Sequence, residues 1–402
     1  MIRHLKLRQP ILKTLVLTGI LAFATGYQSI GQSLSPIKGA NKQNGGYQFT
    51  IDKEVGVGPV KNQAKTNTCW SFSTQSFLES ELIRMGKGQH TLSVMFVVRK
   101  AYELKADKYV RMNGRVAFAE GGEIHDVLSV LRNYGAMPDE AYPGLQYGES
   151  NHAHFELEAV LKGYLDGLIQ NKNGRISTAW KRGLNGILDA YLGPLPTEFS
   201  YQGKTYTPKS WAAAMGLNAD DYLELTSFSH HPFYKPCMVE VQDNWSGELA
   251  YNLPLEEFGQ VIENAVSNNY SVAWATDVSE KYFSHAEGVA VVPDRDLRTI
   301  TEANKAEIFR APAAEKPITQ ELRQAAFDSW ETTDDHGMHI FGSAKDQRGT
   351  RYYLVKNSWG TERNELGGIF YASKPYVLYK TTFIAVNRKA LPANIAAKLG
   401  LK

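Results

Sequence analysis

Only two cysteines, Cys69 and Cys237, occur in 402 residues, so no disulfide framework organises this chain even in an oxidising compartment. Charge of one sign is also missing: 44 basic residues stand against 42 acidic ones, for a net charge of +2. Without a clustered basic surplus there is no electrostatic case for a nucleic-acid partner. The marked apolar run, about 14–24, is eleven residues long and cannot cross a bilayer as a helix. No cysteine follows it to carry a lipid anchor. His230 and His231 are adjacent, cannot share one face of a strand, and read as packing or turn residues rather than metal ligands. No metal and no other cofactor is implied.

What is present at the N-terminus reads as an address. Arg3, Lys6, Arg8 and Lys13 precede the apolar run, and Ala22-Phe23-Ala24 is a small-x-small cleavage signal. Residues 1–24 are therefore expected to be a signal peptide, with export to a periplasm or the medium and no stable membrane insertion after its removal. Loss of those four basic residues would take the net charge to −2. Residues 25–50, rich in Gly, Ser, Gln and Asn, read as a flexible linker. About 378 residues remain after the leader, 43% of the whole chain is hydrophobic, and a two-lobed core with an insertion is within reach.

The residues that carry chemistry begin at Lys61-Asn62-Gln63-Ala64-Lys65-Thr66-Asn67-Thr68-Cys69-Trp70, which opens a helix expected from Thr68 to Met85 and stopped by Gly86. Free N–H groups and the dipole of a helix start favour a thiolate at Cys69. Gln63 can offer an amide to the same point. A nucleophile with such donors needs a base from elsewhere to perform acyl transfer. Far downstream stand Asp334-Asp335-His336-Gly337-Met338-His339, the strand-like Tyr352–Lys356, and Asn357-Ser358-Trp359-Gly360. His336 and His339 are both candidate bases on the residues alone.

Together these segments resemble the papain-type cysteine peptidases. The resemblance implies Cys69 as nucleophile, Gln63 as oxyanion donor, His336 as base and Asn357 as its orienter, in a resting thiolate–imidazolium pair. It also implies substrate contacts at Gly121, Gly122, Gly337 and Trp359, with Trp359 shielding the His336–Asn357 bond. In place of the Gly and extra Cys that precede the nucleophile in the papain signature stand Thr66 and Asn67. His336 lies 267 residues beyond Cys69, against the usual spacing of about 130 to 150, which marks a large insertion.

That combination is similar to the bleomycin hydrolase and aminopeptidase C branch, as are the stretches 225–234, 270–274 and 277–281. The implied fold is α+β: a helical left lobe over residues 51–145, an inserted, mainly helical subdomain over 146–260, and a β-barrel right lobe over 261–388. The branch further implies a C-terminal tail, residues 389–402, whose last residue Lys402 meets the free amine of the substrate, and assembly as a homo-hexamer. The expected activity is that of an aminopeptidase on peptides. A tail that leaves the cleft would make an endopeptidase, and a silent peptide-binding homologue is the alternative of another class. Among the elements, residues 155–169 and 176–191 read as helices of the insertion. Phe155, Val160, Leu161, Tyr164, Leu165, Leu168 and Ile169 form a core stripe in the first, and Tyr376–Val386 reads as barrel strand.

Overall fold

The computed structural model describes residues 35–401. The expected leader, the first part of the linker and Lys402 lie outside the described residues. In chain order come β1 (Phe49–Glu54), α1 (Cys69–Arg84), α2 (Val94–Arg111) and α3 (Ile124–Tyr134). Next, α4 (Phe155–Ile169) and α5 (Ala179–Leu192) pack on each other and on α2, and the hairpin of β2 (Phe199–Tyr201) and β3 (Lys204–Tyr206) leads into α6 (Pro208–Met215). The chain then enters the sheet with β4 (Tyr222–Thr226), β5 (Pro236–Cys237) and β6 (Ala250–Asn252), followed by α7 (Leu255–Ser267). It continues through β7 (Val272–Thr276), β8 (Phe283–Ser284), β9 (Val289–Ala290), α8 (Gln320–Asp328), β10 (His336–Asp346) and β11 (Arg351–Lys356). Finally come β12 (Ile369–Ser373), α9 (Lys374–Lys380), β13 (Thr381–Asn387) and α10 (Ala393–Lys398).

Eleven strands join in one mixed sheet of order β5-β6-β4-β13-β7-β10-β11-β12-β9-β8, with β1 added on β10. The expected barrel does not close. Closure needs strands of matched tilt and stagger. Here both ends of the path are two-residue strands, and the 11-residue β10 changes partner along its length. Its first half pairs with β7 (His336 opposite Thr276), and its second half pairs with β1 across a register shift between Ile51 and Lys53. The opposing ladder to β11 also shifts between Ile340 and Gly342, which re-aims the strand.

Two hydrophobic cores lie on opposite faces of this sheet, and side-chain alternation assigns each residue to one. Val272, Trp274, Ile384 and Val386 enter the core under α7; Ala273, Ala275, Phe383 and Ala385 enter the helical core. Such strands read as continuous apolar runs because both faces are covered. Small residues on the helical side let α1 approach. Consequently α1 is buried on every side from Trp70 to Leu82. Several of its buried polar groups are paired: Glu79 with Lys61 at 2.8 Å, Glu81 with Arg84 at 2.7 Å, and the Gln75 amide nitrogen with the Ser93 carbonyl at 3.0 Å.

Three expectations need correction. The segment 146–260 is not a helical insertion throughout: from Tyr222 to Asn252 it supplies β4, β5 and β6 to the main sheet, β4 pairing with β13 (Leu225 opposite Ile384). The inward stripe of α4 is Leu157, Leu161 and Leu165, at spacings of four, whereas Phe155 and Val160 face solvent. Tyr376–Lys380 is helix, not strand, because the Ser373 hydroxyl accepts the Tyr376 N–H as an N-cap and Pro375 sits in the first turn.

Candidate active site

Cys69 is the first residue of α1, half-buried at the floor of a cavity of about 460 Å³ that is also lined by Gln63, Gly121, His336 and Trp359. The preceding Thr68 makes no side-chain cap, because its hydroxyl is 2.7 Å from that of Thr66. The Ser71 N–H already bonds the Thr68 carbonyl at 3.0 Å, and the Cys69 N–H is left for a ligand.

The seam between α1 and β10 brings the base to the thiol. Gly337 lies flat on the helix: a Cβ there would stand 2.7 Å from Ser73 Oγ and 3.1 Å from Trp70 Cα. Only glycine lets the strand come this close, and its neighbour His336 is delivered to the mouth of the cavity beside Cys69. Gly337 thus packs at the seam, and its N–H bonds the Cys69 sulfur. Gly121 does line the cavity, while Gly122 stands behind it against Trp70 and Asp126.

His336 is buried, with Nε2 2.7 Å from Asn357 Oδ1. Since an amide oxygen only accepts, Nε2 carries the proton and Nδ1 is the nitrogen left to take one from a thiol. The Trp359 ring lies over the imidazole, centroids 4.7 Å apart and planes inclined by 31°. His339, the rival, is fully buried with Nδ1 2.9 Å from Ser76 Oγ. Ser76 stands seven residues, or about 10 Å, along the helix from Cys69, which removes His339 from the site.

Gln63 is fixed by the segment that holds Asn357. Ser358 Oγ donates to Gln63 Oε1 at 2.7 Å, and the Gln63 N–H donates to the Ser358 carbonyl at 2.8 Å. One amide hydrogen goes to the Thr66 carbonyl at 2.7 Å, leaving the other for the cavity. Lys61 anchors the same strand of chain to Glu79 of α1.

Two residues here carried no sequence signal. His285 Nδ1 is 3.4 Å from Asn357 Nδ2, so it faces the amide nitrogen and keeps Oδ1 turned to His336. Asp243 lines the cavity above Gly121, whose hypothetical Cβ would collide with its carboxylate. Both come from segments without a motif, and only the fold brings them in. The tail packs elsewhere: Ile395 of α10 is buried in the sheet-side core, Lys398 bonds Glu257 of α7, and no residue from 388 to 401 lines this cavity.

Burial works against the expected ion pair on both partners. Burial pushes the Cys69 thiol up to about 12, an effect that the N–H of Gly337 opposes and the charges of Asp334 and Asp243 reinforce. Burial likewise takes His336 down to about 4, although the bond to Asn357 works the other way.

His230 and His231 lie in a turn, and both Nε2 atoms reach the carboxylate of Glu240, at 3.1 and 2.9 Å. Gln324 donates to His230 Nδ1, so that histidine is satisfied without an ion.

The sequence matches the Peptidase C1-like family over residues 197–401, half of the chain. The chain belongs to that family. Among its relatives, aminopeptidase W of Lactobacillus delbrueckii subsp. lactis is 25% identical over 396 residues, covering 86% of this chain and 84% of the relative. Aminopeptidase G of the same organism is 23% identical, covering 78% and 77%. The crystal structure of PepW from Lactobacillus rhamnosis hn001 superposes with a TM-score of 0.68 at 20% identity, over 87% of this chain and 84% of that one. This peptidase thus has the papain-like α+β fold, and its resemblance to the bleomycin hydrolase and aminopeptidase C branch is borne out.

Proposed function

We propose that this Peptidase C1-like protein is a thiol aminopeptidase that trims residues from the free amino end of peptides. Cys69 Sγ attacks the scissile carbonyl while His336 Nδ1 takes its proton; the proton then passes to the leaving amine, and water completes hydrolysis of the thioester by the reverse path. Gln63 Nε2 and the Cys69 N–H receive the oxyanion, each donor being worth roughly 3–4 kcal/mol of barrier. Asn357 holds the imidazole in the tautomer that accepts from sulfur. The single observation that carries the reading is a histidine fixed by Asn357 at 2.7 Å and lining one cavity with a helix-start cysteine. The names of the aminopeptidase relatives supply the preference for a free amine.

The test is turnover of an aminoacyl fluorogenic amide, with iodoacetamide labelling of the thiol followed alongside. Cys69→Ala should lose about 10⁴-fold or more in kcat/KM and all stoichiometric labelling at that position. Hydrolysis that survives the substitution would end the proposal. Residues 1–24 are proposed to direct export, on the sequence pattern alone, and the amino terminus of the mature protein in fractionated cells is the check.

A further inference from the structure

We infer that the Asp243 carboxylate is the acceptor for the α-ammonium group of the substrate and the wall that ends the cleft after one residue. The inference rests on the aminopeptidase reading and gives it a subsite within the described chain. Four carboxylates line the cavity that contains Cys69: Glu120, Glu158, Asp243 and Asp335. No lysine or arginine is among the lining residues. Lys105 lies nearby, with its ammonium group on the carbonyls of Ala119 and Gly121 and over the Trp70 and Trp245 rings.

Three of the four carboxylates are already occupied. Glu158 accepts the Glu120 N–H at 3.0 Å, Asp335 accepts from Val278 and Ser279, and one oxygen of Glu120 accepts the Asn67 N–H. Asp243, among the described residues, has no donor at all. The second oxygen of Glu120 is buried and unpartnered, in a side chain only 1% exposed that lines the same cavity. A pocket of this kind lacks a cation with several N–H donors, which is what an α-ammonium offers.

Position fixes the distance along the substrate. The amine of an amino-terminal residue is two bonds from the carbonyl that Sγ attacks, so its partner must stand within a few ångströms of the thiol. Asp243 lines the same cavity as Cys69 and His336, over Gly121. Its carboxylate sits over Gly121, where the backbone of a further residue would otherwise run. Beyond it opens a second cavity of about 570 Å³, lined by Asp243, Phe327 and Trp330, and the carboxylate stands between the two. The arrangement also links recognition to chemistry. An ammonium bound there neutralises a charge that holds the thiol proton in place, and it relieves a carboxylate that burial and Asp334 push up to about 6.

The experiment compares a free aminoacyl fluorogenic amide with its N-acetylated form in wild type, Asp243→Asn and Asp243→Ser. Wild type should favour the free amine by about 100-fold in kcat/KM, and both variants should bring that ratio below about threefold by raising KM for the free amine. Far-ultraviolet circular dichroism and a cooperative unfolding transition report that each variant is folded. If the variants keep the wild-type ratio, Asp243 is not the acceptor although the aminopeptidase reading stands. If wild type already cleaves the acetylated amide equally well, both claims fall together.

Discussion

At the scale of single residues, burial favours a neutral pair at Cys69 and His336. A sulfur at a helix start enjoys the dipole and free N–H groups, effects worth about 1 kcal/mol each at most exposed termini. Against them stand desolvation at the floor of the cavity and the charges of Asp334 and Asp243, and the balance falls on the protonated side. The imidazole is pressed the other way by its own burial. Thiolate ultraviolet absorbance, taken as wild type minus Cys69→Ala, should therefore be absent at pH 7 and grow only as pH rises well above 9, the ordinary thiol value, toward about 12. Removing one of the negative charges, as in Asp243→Asn, should bring the onset to lower pH. A thiolate signal in the free enzyme at neutral pH would refute the neutral pair. Gln63, Cys69, His336 and Asn357 were legible in the sequence because each sits in a short motif whose neighbours serve the same site: Ser358 ties Gln63, and Trp359 covers His336. Their charge state was not, because Asp243 and Asp334 lie more than 170 residues from the thiol and burial has no local signature.

At the scale of elements, the geometry depends on how closely a strand can lie on a helix. β10 and β11 could be read from their apolar character, and β7 likewise, since strands covered on both faces need no alternation. Less legible was why β10 begins with His-Gly. Gly337 faces the first turn of α1, and its missing side chain sets the separation of Cys69 from His336. Gly337→Ala would put a methyl group 3.2 Å from the Trp70 backbone nitrogen and closer still to Ser73. Strand and helix must part by a few tenths of an ångström. The expected outcome is a loss of about 1–3 kcal/mol in denaturant unfolding and a fall in kcat of up to about 100-fold, with KM little changed. A variant with wild-type kcat would show that the seam does not position the base. The elements that were misread failed for local reasons. Tyr376–Lys380 has a strand-like aromatic composition, but its Ser-x-Pro start, a helix signal, outweighs it. In α4 the two outward-facing apolar residues, Phe155 and Val160, disguised a stripe that needs only three leucines.

At the scale of the whole molecule, one sheet separates two cores, and the C-terminal tail belongs to the sheet-side core rather than to the cleft. After β13 the chain turns at Arg388–Ala390, where the Ala390 carbonyl accepts from Asn264 of α7 at 2.8 Å, and α10 seats Ile395 with Leu391 and Leu399 in the apolar cluster beneath. The Lys398 ammonium then bonds Glu257 and lies 5.2 Å from the Tyr234 ring centroid, which holds the outer face of α10 to the same lobe. Deleting the tail would therefore open a hydrophobic core as well as remove a terminus, and a change in specificity after such a deletion would confound the two. A point substitution separates them. Ile395→Ala removes a fully buried side chain and should cost about 2–4 kcal/mol of stability in denaturant unfolding. Because α10 lines no part of the cavity, kcat/KM for a free aminoacyl amide relative to its acetylated form should stay at the wild-type ratio under conditions where the variant is folded. A collapse of that ratio in Ile395→Ala, with native circular dichroism retained, would instead place the tail in substrate recognition, and the amine subsite would have to be sought at the carboxy terminus.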